Sequence, residues 1–249
     1  MTDPLLSALR GLAEPAPTTL PDTVVDGWVR LPGPVGDVLV VTSSRGVRYL
    51  RPAPGTDDVE PVLAGYRDRF ARPVRPSGRV PRGLRPALTG HRGHPDLDLD
   101  GATDFERAVL DATARIPAGQ TRPYGWVARE AGRPRAVRAV GTVLARNPVP
   151  LLVPCHRVTR GDGALGQYML GAEAKATLLR GEGTDVEGLE ALAAAGTRLR
   201  GSDTTGIVCF PTCHHARRIT AAHRRDFRTL DAARAAGYRP CRVCRPAVD

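Results

Sequence analysis

The five cysteines of the chain fall into two kinds by spacing. Cys209-Phe-Pro-Thr-Cys213 and Cys241-Arg-Val-Cys244 are close pairs, and Cys155 stands alone. The opening residues, Met1 to Pro15, lack a basic start followed by an apolar block, so no secretory signal is read and the cytoplasm is the expected compartment. In that reducing setting, paired cysteines point to metal rather than disulfides. The spacing suits a tetrahedral four-cysteine zinc site, with Cys209, Cys213, Cys241 and Cys244 as ligands and each pair on a turn. Two disulfides, free thiols, or substitution by His214 or His215 are the competing readings.

Cys155 lies in Pro154-Cys155-His156-Arg157-Val158. An isolated cysteine is more often a small buried hydrophobe than a nucleophile. A nucleophile needs a group to take the thiol proton, and the adjacent His156 is of the right type. Glu182 could orient that imidazole, completing a Cys-His-acid relay.

These groups need elements to position them. Residues 23–51 alternate apolar and polar with Gly, Pro and Ser punctuation, which predicts a small antiparallel sheet. A helix is predicted from about Asp58 to Phe70, and the Pro-, Gly- and Arg-rich residues 72–96 read as a loop. Thr103 and Glu106 form a capping box ahead of an apolar face of Phe105, Val109, Ala112 and Ile116. Helical patterns over Tyr124–Ala131 and Pro134–Ala145, joined by Gly132-Arg133, have the form of a helix-turn-helix. Asn147-Pro148 stops the second, and Pro150 to Pro154 reads as a short buried extended run leading into Cys155. A helix over about Ala172–Arg180 follows. Residues 184–200 are an Ala- and Gly-rich connector, part helical around Val186–Ala195. From 201 onward large apolar residues are few, and so small a core needs a metal or disulfides.

Charge narrows the partner. Lys and Arg total 36 against 26 Asp and Glu, a net of +10, and Lys175 is the single lysine. Arginine grips phosphate bidentately, so a polyanion partner is expected; GC-rich codon usage is the competing explanation. Hydrophobic residues at 41% support a packed core, and no window reaches the ~18 apolar residues of a membrane span.

Several short motifs occur in one order: Gln120-Thr-Arg-Pro-Tyr124-Gly, Arg138-Ala139-Val140-Gly141, Asn147-Pro148, Pro154-Cys-His-Arg-Val158, Gly166-Gln167-Tyr168, Lys175 and Leu178 to Gly183. Together they resemble the active domain of the O6-alkylguanine-DNA alkyltransferases, the Ogt and Ada C-terminal type, strongly over 103–183 and weakly over 22–71. The resemblance implies that Cys155 accepts the alkyl group. It implies that His156, through a bridging water, holds the thiolate, with Glu182 polarising the imidazole. Tyr124 would protonate or hydrogen-bond the departing guanine, and Asn147 would order the cysteine loop. Tyr168 and Met169 would wall the base pocket, and Val153 and Val158 would supply backbone contacts. On the second helix, Arg138 would fill the gap left by a flipped base. Ala139, Gly141 and Thr142 would let the helix approach the DNA backbone in the minor groove. Leu170 stands where the family has glycine, which puts the accepted alkyl range in doubt. Arg122-Pro123 stands where a small hydroxyl residue is usual.

Thr204-Thr-Gly-Ile207, the four clustered cysteines, Ala216-Arg217, Phe227 and Ala236 to Cys241 resemble the zinc domain of Ada. That likeness implies methylphosphotriester repair by zinc-bound Cys209, with Arg217, Arg239, Arg242 and Arg245 as phosphate contacts. A structural or DNA-docking module is the alternative. Phe210 replaces a usual basic residue, and one residue is added in the His214-His215 pair. With five residues after Cys244, no AraC-like regulator half is expected.

The expected fold is an α+β multidomain chain. Residues 1–96 would form a small α/β ribonuclease-like domain. Residues 97–183 would form a helical winged-helix-type alkyltransferase domain with the helix-turn-helix. A linker at 184–200 would lead to a zinc-bound α+β module at 201–249. The expected activity is single-turnover transfer of an alkyl group from double-stranded DNA, without an organic cofactor, by a monomer. A damage binder or sensor with slow transfer is the alternative.

Overall fold

The computed structural model describes residues 24–89 and 93–247; the reading of Met1 to Pro15 lies outside them. No described helix is long and apolar enough to cross a membrane.

Strands β1 (Asp26–Leu31), β2 (Val38–Ser43) and β3 (Gly46–Pro52) form the expected antiparallel meander. β2 is buried over all of Val38 to Val41, a run without polar alternation. The reason is that the sheet is covered on both faces. Val41 and Tyr49 pack under helix α1 (Glu60–Phe70) with Leu63 and Tyr66, while Val38, Val40, Val47 and Leu50 join the core of the following unit. The described residues at 72–89 are more ordered than a loop. Strand β4 (Val74–Pro76) adds parallel to β1, and a short helix α2 (Leu84–Leu88) buries both its leucines.

Helix α3 (Asp104–Ala114) starts at the capping box. The Glu106 amide donates to Thr103 Oγ1 at 3.3 Å, and the Thr103 amide donates to Glu106 Oε2 at 2.8 Å. Its buried residues Val109, Leu110 and Ala112 meet α4 (Tyr124–Glu130) and α5 (Val137–Ala145). Gly132, with φ of 75°, turns the chain between α4 and α5. Strand β5 (Arg122–Pro123) pairs in parallel with β6 (Val158–Thr159), which ties the entrance of α4 to the end of the cysteine loop. Pro150 to Pro154 is a tight turn, not an extended run: Leu151 has φ of 74°, and the Val153 amide donates to Val149 O at 2.9 Å. The turn follows from Asn147, which holds both of its ends.

Helix α6 (Ala172–Gly181) is followed by α7 (Val186–Ala194), so the connector is half structured. Asp185 caps α7, and Val186 and Leu189 pack with Leu165 and Leu179. The last unit is a sheet ordered β10 (Arg239–Pro240), β8 (Ile207–Cys209), β7 (Leu199–Ser202), β9 (Arg224–Phe227), with one helix, α8 (Leu230–Ala235). β7 begins within the stretch expected to be linker. The unit's apolar core is small: Leu199, Val208, Phe227, Leu230, Ala233 and Tyr238.

Replacing Thr103 by alanine removes the N-cap acceptor of α3 and should cost about 1 kcal/mol in urea unfolding. An unchanged midpoint would show that packing alone sets this helix start.

Candidate active site and metal centre

Cys155 opens a single 3-10 turn, Cys155–Arg157, at the end of the Asn147-organised loop, and is 5% exposed. Asn147 is fully buried and spends both ends of its amide locally. Its Nδ2 donates to Cys155 Sγ at 3.1 Å and to Val153 O at 2.9 Å, and its Oδ1 accepts from the Val149 amide at 3.0 Å. Burial pushes the Cys155 thiol up, while the Asn147 hydrogen bond and the charges of Lys175 and Arg51 pull against it. The resting sulfur therefore keeps its proton.

His156 turns one ring nitrogen to Glu182, with Nε2 at 2.9 Å from Oε1. Its Nδ1 is buried and has no hydrogen-bond partner among the described residues. Burial lowers the His156 pKa below its ordinary 6.5, although Glu182 opposes this, so the imidazole rests neutral. Glu182 is the hub. Arg157 donates to it through Nε at 3.0 Å and Nη2 at 2.7 Å, and the Gly119 amide donates to Oε2 at 3.0 Å. Burial alone would raise this carboxyl, but the hydrogen bonds from His156 and Arg157 outweigh it and hold it down at about 2. An ionised Glu182 keeps the proton of a neutral His156 on Nε2, which leaves Nδ1 as an acceptor.

Tyr124 sits at the first position of α4 and Tyr168 edge-on to His156, 6.1 Å between ring centres. Both phenols are raised, first by burial and then by the field of Cys155. Val153 and Val158 are fully buried beside Cys155, and Tyr124, Tyr168 and Met169 pack on the same cluster. Arg138 and Ala139 are exposed on α5, and nothing lies within 4 Å of where a Cβ would stand at Gly141. That face of α5 is open to a partner.

Three contributors lay outside the expected set. Lys175, fully buried, donates to Val158 O at 2.5 Å and Leu165 O at 2.6 Å, and burial brings its pKa to about 8. It stood in the ordered motif series without an assigned role, and its being the single lysine in an Arg-rich chain was a second signal. Arg51 of β3 donates to Asn147 O and Pro148 O, both at 3.1 Å, and no local pattern marked it. Arg157 stands inside the Pro-Cys-His-Arg run, yet its hold on Glu182 depends on the fold.

In the last unit the four sulfurs of Cys209, Cys213, Cys241 and Cys244 lie within 4.8 Å of one another, all buried. Tetrahedral Zn–S bonds of about 2.3 Å place sulfurs about 3.8 Å apart, so the residues fit one zinc ion. Cys209 and Cys241 also line a cleft of about 640 Å³ with Arg239, Arg242, Arg218 and Thr204. Arg217 instead donates to Gly183 O at 3.3 Å, and Arg245 pairs with Glu130.

Residues 104–184 match the family model for the 6-O-methylguanine DNA methyltransferase DNA-binding domain, and residues 192–247 match the metal binding domain of Ada. A methylated-DNA–protein-cysteine methyltransferase of Methanosarcina acetivorans is 34% identical over 153 residues, 61% of this chain and 94% of that one. The chain belongs to the methylated-DNA–protein-cysteine methyltransferases. Among these methyltransferases, the bifunctional transcriptional activator and DNA repair enzyme Ada of Escherichia coli is 45% identical over 91 residues, 36% of this chain and 25% of that one. The crystal structure of the Mycobacterium tuberculosis O6-methylguanine methyltransferase superposes with a TM-score of 0.51 at 32% identity, covering 63% of this chain and 92% of that one. The zinc module of this methyltransferase carries its own, separate family match.

Replacing Glu182 by glutamine removes a carboxylate held at about 2 in the folded chain against 4.5 for an ordinary glutamate. A depressed acid stabilises above its unfolded value and loses that contribution as pH falls toward the folded one. At pH 7 the variant should be less stable by on the order of 2 kcal/mol. The gap should close between about pH 4.5 and 2. A gap in urea midpoints that stays constant across that window would deny Glu182 its ionised hub role.

Proposed function

We propose that this chain repairs double-stranded DNA by a single, irreversible transfer of an alkyl group from O6-alkylguanine to Cys155. The observation that carries this reading is the relay Cys155, His156, Glu182 with Asn147 on the sulfur. His156 Nδ1 takes the Cys155 proton through a bridging water, while Nε2 stays bonded to Glu182. The thiolate attacks the alkyl carbon of an extruded guanine; the C–S bond forms as the C–O6 bond breaks. The electron pair leaves with the guanine, Tyr124 supplies a proton to it, and His156 returns one to Tyr124. The product thioether offers water no acyl carbon, so the acceptor is spent. A resting neutral thiol is protected from side reactions and ionises only when a base is seated against it.

Extrusion is required because O6 is stacked inside the duplex. The open face of α5 suits the minor groove, with Arg138 in the gap of the flipped base and Ala139 and Gly141 at the backbone. Val153, Val158, Tyr168 and Met169 form the base pocket. In this reading the chain divides into a ribonuclease-like unit at about 1–96, a winged-helix-like unit at 97–183 and a zinc module that starts with β7 at Leu199, two residues before the expected 201.

In the module, Cys209, Cys213, Cys241 and Cys244 would hold one zinc ion, which keeps bound thiolates deprotonated and nucleophilic at neutral pH. Cys209 opens on the Arg239-lined cleft, which favours it as acceptor of a methyl group from a backbone methylphosphotriester. Arg217, tied to Gly183, acts more on the module's seat than on phosphate.

Mass spectrometry after mixing with O6-methylguanine duplex should show one added methyl on the Cys155 peptide, and Cys155→Ala should lose it while still binding DNA. Unmodified protein that stays bound would favour the damage-sensor reading. A backbone-methylated duplex should instead place the methyl on the Cys209 peptide. Retention of both zinc and phosphotriester transfer by Cys209→Ala would remove Cys209 from that role.

A further inference from the structure

Arg122 has no part in the transfer described above. It is 2% exposed, and its polar partners are Thr121 O and Gln120 Oε1, each at 2.7 Å, with Nε unpartnered. Among the described residues no carboxylate lies within salt-bridge distance of it. An arginine stays charged at any working pH, and a buried cation without a counter-charge is costly. Burial pulls its pKa down, and the nearby negative groups that oppose this are the clustered cysteines Cys244, Cys213, Cys241 and Cys209. Its guanidinium lies 5.7 Å from the Trp126 ring of the helical unit and 5.4 Å from the Phe210 ring of the module. Phe210, between two of the cysteines, packs at once on the main core, the module's sheet core and the sulfur cluster.

The surroundings of Arg122 are a seam between units. The Thr121 amide donates to Thr212 Oγ1 at 2.8 Å, and Arg129 donates to Arg245 O at 2.7 Å. Cys244 and Cys213 are the two cysteines that do not line the 640 Å³ cleft, which Cys209 and Cys241, though buried, do. The Thr121 bond to Thr212 and the Phe210 ring place Arg122 at the seam beside the cluster.

We propose that Arg122, supplied by the alkyltransferase unit, is the counter-cation of the tetrathiolate centre, so that metal binding and docking of the module are one linked equilibrium. Four thiolates around a divalent cation leave a doubly negative site, and the guanidinium offsets part of it in a low-dielectric seam. Linkage makes the effect reciprocal: whatever seats the module on Arg122 tightens the metal, and loading the metal tightens the seat. Arg122 is a positioning residue and touches no substrate.

This inference rests on the four-thiolate zinc reading, and the experiment separates the two. Full-length wild-type protein and the variants Arg122→Gln, Arg122→Lys and Arg122→Gln with Phe210→Arg are titrated with a chromophoric zinc chelator. The cobalt(II)-substituted forms are followed by absorption. Wild type that fails to hold one zinc would sink the metal reading itself. With zinc bound, Arg122→Gln should hold it at least about tenfold more weakly. Its thiolate-to-cobalt charge-transfer bands should move to lower energy, because the sulfurs lose a withdrawing cation. Arg122→Lys should stay near wild type, and the Phe210→Arg addition, which returns a cation beside the cluster, should recover both readouts. Zinc affinity within about twofold of wild type in Arg122→Gln, with unmoved bands, overturns the proposal. If Arg122→Gln does not fold, a folded Arg122→Lys that holds zinc about tenfold or more weakly than wild type overturns it as well.

Discussion

A thiol at 5% exposure, with burial pushing its pKa up, is a poor nucleophile unless its proton has somewhere to go. Everything around Cys155 answers that constraint. Asn147 donates to the sulfur and holds both ends of the turn that carries it. His156 is kept neutral by burial and is aimed by Glu182, so that Nδ1 can receive. Glu182 in turn is kept ionised by Arg157, His156 and the Gly119 amide. Gly119 has φ of 70°, and a Cβ there would fall 2.5 Å from Glu182 O, so the close approach needs glycine.

The N-terminal sheet is part of this support. Its β3 edge reaches the start of the Asn147-organised loop directly: the Leu50 amide donates to Pro148 O at 2.9 Å, and Arg51 holds Asn147 O and Pro148 O. β2 is buried on both faces, and the loop that the sheet braces is the one that carries Cys155. Lys175 braces the other side by holding Val158 O and Leu165 O. Strand pair β5–β6 then joins the Cys155 loop, the start of α4 and the seam of the metal module.

The two sulfur centres solve opposite problems. Cys155 rests protonated in an apolar wall, whereas the four-cysteine cluster concentrates negative charge that a cation must balance. The small apolar core of the last unit cannot hold it alone, and Phe210 links it to the main core. Arg122 lies where these two problems meet.

Local chemistry was legible in the residues themselves. The capping box at Thr103 and Glu106, the helix pair around Gly132 and the paired cysteines each depend on neighbours within a few positions; the box and the cysteine cluster formed as read, and the helix pair formed with its second helix starting at Val137, three residues after the expected Pro134. The four-cysteine centre was legible because thiolate spacing on turns restricts what can bind. The tight turn at Leu151 was not, since an apolar run between prolines has no period that tells extended chain from turn. Nor was the order in 72–89, where β4 and α2 form only because β1 and the core accept them. The chain's own residue types therefore determined which groups could do chemistry. The tertiary structure alone decided their charge states and partners: a shifted pKa or a buried guanidinium beside sulfurs 87 to 122 positions away depends on burial and through-space fields, which have no trace in local sequence.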